Sequence, residues 1–427
     1  MHSVFRIDDV EQIEDRLWHI KLKLTNDNDP LLSHLTEYTR EEISGDTPLH
    51  RLSHLMMKMG HYNEAQEILK ILLNRTSDND EYLLAFLNYQ MGVVMLEKGD
   101  LNNALSCFGK TFEFEQKIFK PDDPALAHTY RSLGDVYDSM GDYQQALTYY
   151  EKTLEIQRTS SLFEPFDLVS TYSHIGVLYD EMGKYTEALS YHEKSLEIAQ
   201  NSLPIVHPYR ATIYINIGSV YNLMGQYSKA LIAYEKAIEI EQKSLLPNHP
   251  TVANTYNNIG AIHNEMGAQS TALFCYEKAL EIQLKFLPST HPDLGATYSN
   301  IGLIYQSMGE YTKALSQYEQ TLTIEQQSLP LEHQSVAITY INIGSAYVSM
   351  GEYQTALKYF EKAAEIREKS FPINHPDLAV SYNNIGLVYN KMGKYSTALT
   401  YYEKTLKIKQ QSLPADHPSL AGIYNNI

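Results

Sequence analysis

Asn216, Asn258, Asn300, Asn342 and Asn384 recur every 42 residues, each two places before a glycine, and Asn426 continues the series. A primary amide offers two N–H donors and an oxygen with two lone pairs, so one asparagine can meet both the N–H and the C=O of a single residue in an extended peptide. Units spaced by about 10 Å, the contact distance of packed helices, match roughly three extended residues at about 3.3 Å each. A ladder of this kind would grip a strand-like segment by its backbone and ignore most of its side chains. The competing use of the same amides is to bond to neighbouring helices and hold the repeats in register.

Other residues with chemical potential are spread by the same period. His207, His249, His291, His333, His375 and His417 come one per unit, too far apart to share a metal; they suit the turn that opens each unit. Glu113-x-Glu115 and Glu239-x-Glu241 bring carboxylates close in sequence, but on helices of the repeat and with no partner set for catalysis. Cys107 and Cys275 stand four units apart, roughly 40 Å if each unit adds about 10 Å, which excludes a disulfide and fits a reducing, cytoplasmic setting. No catalytic constellation, cofactor site or metal-ligand set emerges from these residues.

The elements that must position the asparagines are legible from two glycine series, one from Gly99 to Gly393 and one seven residues ahead from Gly92 to Gly386. In residues 379–420, Tyr382, Ile385, Gly386 and Tyr389 fall at i, i+3, i+4 and i+7, the stripe of a helix packed on one face. Gly393 ends that helix, since glycine takes the left-handed conformation that closes a C-terminus without a Cβ clash. A second helix is expected to bury Tyr395, Ala398, Leu399, Tyr402, Thr405, Leu406 and Ile408, until Pro414 and Pro418 stop it. Alanine holds the equivalent of Ala398 in nine successive units, from Ala65 onward. A period in this range marks stacked supersecondary units that each contact mainly their neighbours.

The order Tyr, Ile-Gly, Tyr, Met-Gly-x-Tyr, Ala, Tyr, Pro resembles the tetratricopeptide repeat, and the 42-residue length with a His-Pro-x-x-Ala opening is most similar to kinesin light chain repeats. The resemblance implies an all-α fold, a right-handed superhelical α-solenoid whose first helices form a concave, peptide-binding wall. It also implies protein or peptide partners. The basic groove residues of kinesin light chains have no full counterpart here: Asp135, Asp138, Asp180 and Glu181 stand at inward positions, Arg131 and Lys391 are the clear inward cations, and an acidic ligand is disfavoured. Ser132 and His174 interrupt the asparagine series toward the N-terminus.

The expected organisation is a stub at 1–30 with two short strands (Val4–Ile7 and Arg16–Thr25), a linking helix at 31–45 and a degenerate first unit at 46–84. Eight units follow at 85–126, 127–168, 169–210, 211–252, 253–294, 295–336, 337–378 and 379–420, then the start of another at 421–427. The stub is similar to the last strands of arginine ADP-ribosyltransferase domains, which implies a catalytic part upstream and a regulatory array here; the array itself is expected to be non-catalytic. A cargo-adaptor role is the third alternative, implied by the kinesin light chain resemblance. A net charge of −18 and a pI near 5.3 argue against sequence-independent binding to nucleic acid or anionic membrane, which needs clustered Lys and Arg. No apolar run suits a membrane span. Most of the 34 tyrosines fall on packed stripes, so they are read as structural. The departures His192, His263, Gln269 and Gln334 are read as repacking or a loosened turn.

Overall fold

The computed structural model describes residues 5–14, 17–24, 48–244, 249–330, 332–412 and 418–427. The expected linking helix at 31–45 and His417 lie outside them. Contacts divide the chain into two units, Met1–Met182 and Gly183–Ile427.

The first unit opens with an antiparallel pair, β1 (Phe5–Glu14) and β2 (Leu17–Leu24). β1 is longer than the sequence suggested because register shifts between Ile7 and Asp9 and between Gln12 and Glu14 absorb two extra residues, which hides the alternation. Seven helices follow: α1 (Pro48–Lys58), α2 (Tyr62–Arg75), α3 (Glu81–Glu97), α4 (Leu101–Ile118), α5 (Ala125–Ser139), α6 (Tyr143–Thr159) and α7 (Pro165–Glu181). The second unit holds α8 (Tyr185–Ser202), α9 (Pro208–Leu223), α10 (Tyr227–Ser244), α11 (Pro250–Glu265), α12 (Gln269–Phe286), α13 (Pro292–Ser307), α14 (Tyr311–Ser328), α15 (Gln334–Ser349), α16 (Tyr353–Ser370), α17 (Pro376–Lys391), α18 (Tyr395–Ser412) and α19 (Pro418–Asn426). Helices pair as antiparallel hairpins, α3 with α4 or α13 with α14, and each hairpin packs on the next within its unit.

The hairpin closes where a first-helix glycine meets an aromatic ring. A Cβ on Gly302 would lie 2.5 Å from Cε1 of Tyr318, and one on Gly386 would lie 2.8 Å from Cε1 of Tyr402. The rings are fully buried, and the nine alanines beside them are 0–2 % exposed, so backbone and ring meet without intervening side-chain bulk. A buried threonine then ties the two helices: Thr321 Oγ1 donates to the Gly295 carbonyl at 3.1 Å, and Thr405 Oγ1 to that of Ala379 at 3.3 Å. At the turn, Gly309 adopts φ +79°, and the Glu310 N–H donates back to the Tyr305 carbonyl at 2.8 Å, closing the helix end.

The periodic histidines have a structural job. Nδ1 of His291, His333 and His375 accepts the N–H of Asp293, Ser335 and Asp377, each at 3.2 Å, capping helices whose first turn otherwise leaves donors unpaired. Gln334, which replaces proline, still starts α15 and donates to Asp377 Oδ2 at 2.6 Å, so it links two units rather than merely loosening a turn. His192 fills the aromatic place in α8, 1 % exposed, and burial holds its pKa down at about 4. Two expected core residues are not buried: Tyr395 is 70 % exposed and Leu399 37 %. In the preceding unit, the equivalent Tyr353 and Leu357 pack in one cluster with Tyr389 and Met392, a cover that Tyr395 and Leu399 do not have among the described residues.

Candidate peptide-binding face

The five asparagines sit at one position of α9, α11, α13, α15 and α17, all in the second unit and all half-buried. No hydrogen bond joins any of the five carboxamides to another described side chain or backbone group. Two bonds join neighbouring repeats here: Asn257 Nδ2, one position before the ladder, donates to Thr297 Oγ1 at 2.9 Å, from α11 to α13, and Asn426, the last residue of the series, donates to Asn383 Oδ1 at 3.3 Å, from α19 to α17. The amides of Asn216, Asn258, Asn300, Asn342 and Asn384 thus differ from that of Asn426, which is used between repeats.

In the first unit the same position is spent on packing. Ser132 is 5 % exposed and donates to the Tyr89 hydroxyl at 3.1 Å, while His174 Nδ1 lies 2.8 Å from the Ser170 carbonyl and its ring packs at a tilt against Tyr150, 5.5 Å between centroids. Asp135 accepts from Tyr150 Oη at 2.6 Å. Burial raises the pKa of Asp138, and the neighbouring Asp135 raises it further; burial and then Glu181 do the same for Asp180. Arg131 is half-buried and Lys391 exposed.

Two clefts occur at equivalent places, one in each unit. That of the first unit, about 350 Å³, is walled by Tyr82, Phe86, Tyr89, Phe119 and His128 around Glu115. Glu115 Oε2 is buried without a partner, and burial, helped by Asp123, pushes its pKa up to about 7. Because the folded chain keeps this proton between about pH 4.5 and 7 while the unfolded chain has lost it, stability is full below that window and falls as pH rises through it. Glu115→Gln is expected to flatten the fall and raise stability at pH 8 by about 1 kcal/mol, a modest amount because the carboxyl is partly screened by solvent. Urea midpoints of both proteins across pH 4 to 8 check this.

The cleft of the second unit, about 470 Å³, is lined by Asn300 of the ladder together with Gly295, Ala296, Glu325 and Ile338. Sequence reasoning did not single it out. Its signal was the glycine at 295, where Ala253, Ala337 and Ala379 stand in neighbouring units.

Among the described residues no group of His, Cys, Asp and Glu could hold a metal, and no helix is long and apolar enough to cross a membrane. Helical hairpins closed by a glycine turn, each packed on the next within its unit, define the class of α-solenoid repeat proteins, which present extended binding surfaces. The chain belongs to the tetratricopeptide repeat family, matched at residues 82–159, 167–243, 209–285, 275–327, 293–369 and 335–411. Solved structures of the same fold include the apo form of RapI, with a TM-score of 0.60 at 17 % identity over 84 % of this chain and 96 % of that one. A signal transduction ATPase with numerous domains and a tetratricopeptide repeat sensor from Pyrococcus horikoshii gives 0.57 at 17 % identity, over 82 % of this chain and 49 % of that one. A putative kinesin light chain with nearly identical repeats from Podosopora anserina gives 0.44 at 24 %, over 49 % and 99 %. At these identities the likeness extends to the fold alone. No curated protein matches the chain.

Proposed function

We propose that the chain is a non-catalytic interaction scaffold whose second unit holds an extended, neutral or basic segment of a protein partner through Asn216, Asn258, Asn300, Asn342 and Asn384. The observation that supports this is that, among the described residues, the five amides from Asn216 to Asn384 make no hydrogen bond within the fold, whereas Asn257 bonds to Thr297 and the last amide of the series, Asn426, to Asn383. A half-buried amide without a partner forgoes hydrogen bonds that an arriving backbone would supply. The test is binding of the full chain to an array of extended peptides of varied charge, beside a variant carrying alanine at Asn258, Asn300 and Asn342.

A further inference from the structure

Within the proposed peptide-binding face, we infer that the cleft between α13, α14 and α15 is a socket for one basic side chain of the bound segment, an arginine or lysine whose cationic head meets Glu325. This inference rests on the ladder for the peptide's course, and adds to it a residue preference that the amides alone would not give.

Glu325 is 6 % exposed and lines the cleft. Its Oε1 accepts from the Ser335 hydroxyl, and its Oε2 is buried with no partner. A carboxylate has about four acceptor sites across its two oxygens, and burying it with one of them used is costly unless a cation or further donors arrive. The wall contains a second carboxylate, Asp293, no lysine or arginine, and one histidine, His333, whose Nδ1 accepts the Ser335 N–H, so the fixed charges of the cleft complement a cation. The opposite arrangement exists one unit on, where Arg367 takes the place of Glu325 and is paired internally, donating to the Asp377 carbonyl at 2.8 Å and to Ser381 Oγ at 3.2 Å. The buried position is thus filled in one unit by a cation that bonds through Nη1 and leaves Nε unpaired, and in the cleft by an anion with one whole carboxylate oxygen unpaired.

Room for a side chain comes from Gly295. A Cβ there would meet nothing nearer than Ile324 Cγ2 at 3.7 Å, an ordinary contact, so packing does not demand glycine. Every neighbouring unit uses alanine, the better helix former. Glycine at 295 gives up helix stability and opens the cleft wall. The cleft adjoins Asn300 and the exposed faces of Ala296 and Ile338. A peptide held by Asn300 therefore passes its mouth, and the apolar wall of Ala296 and Ile338 suits the aliphatic stem of a long basic residue.

The experiment uses the full chain, the Glu325→Gln variant and two probes. One is a set of fluorescent extended decapeptides of Ala, Ser and Thr carrying a single central arginine or its neutral isostere citrulline; the other is agmatine, which has the guanidinium and no peptide backbone. The wild type is expected to bind the arginine peptide at least ten-fold tighter than the citrulline peptide, Glu325→Gln to bind the two alike, and agmatine to raise the thermal midpoint of the wild type alone. Equal binding of the two peptides by the wild type, or a preference that survives in Glu325→Gln, overturns the socket. If neither peptide binds, the ladder fails, and the socket is then decided by agmatine: a Glu325-dependent shift upholds it and no shift overturns it.

Discussion

Gly302→Ala is expected to cost about 2–3 kcal/mol of stability, the range of overpacking in a close-packed core. The added methyl would sit 2.5 Å from Cε1 of Tyr318, and that ring has nowhere to go. Tyr318 is fully buried, its hydroxyl donates to Gln306 Oε1 at 2.9 Å, and it packs with Leu315, Ile343 and Ala346. Alanine's better helix propensity returns at most about 1 kcal/mol. Gly295→Ala supplies the control in the same helix, seven residues earlier: no contact is closer than 3.7 Å, so the same substitution should be neutral or stabilise by up to about 1 kcal/mol. Urea midpoints followed by circular dichroism separate the two. Equal changes at both positions would show that the ring-on-glycine contact does not set the hairpin.

The second large effect concerns binding. Replacing Asn258, Asn300 and Asn342 together by alanine removes three amide contacts with the peptide, each worth about 1 kcal/mol net, which multiplies to roughly a 100-fold weaker Kd. The thermal midpoint should stay where it was, because none of the three amides has a partner among the described residues. Asn257→Ala is expected to behave oppositely, since its bond to Thr297 is one that α11 and α13 make with each other. A triple variant that loses stability and keeps its affinity would assign the ladder position to register instead.

Much of this architecture is visible in the sequence because it is repeated. Gly309, Ala314 and Tyr318 are legible as turn, close contact and buried ring once the same types return 42 residues later. Departures from the period are harder, since their meaning depends on what another element places beside them. Gln334 reads as a lost proline until Asp377 of the next unit is seen within hydrogen-bond reach. Gly295 reads as a small residue among alanines until Glu325 is found at the back of the same cleft. For the ladder, spacing gave the positions of the amides; which asparagines bond inside the fold depends on what the neighbouring helix places beside them, Thr297 for Asn257 and Asn383 for Asn426, and spacing does not encode that.

The claim that the second unit reads peptide backbone is tested most directly by N-methylating, one at a time, the amides of the tightest-binding array peptide and measuring each Kd. Methylation keeps every side chain and removes one backbone donor. The account predicts losses that recur about every third residue, with near-normal binding between them, and a flat profile for the triple asparagine variant. Losses that follow side-chain replacement and ignore backbone methylation would contradict it.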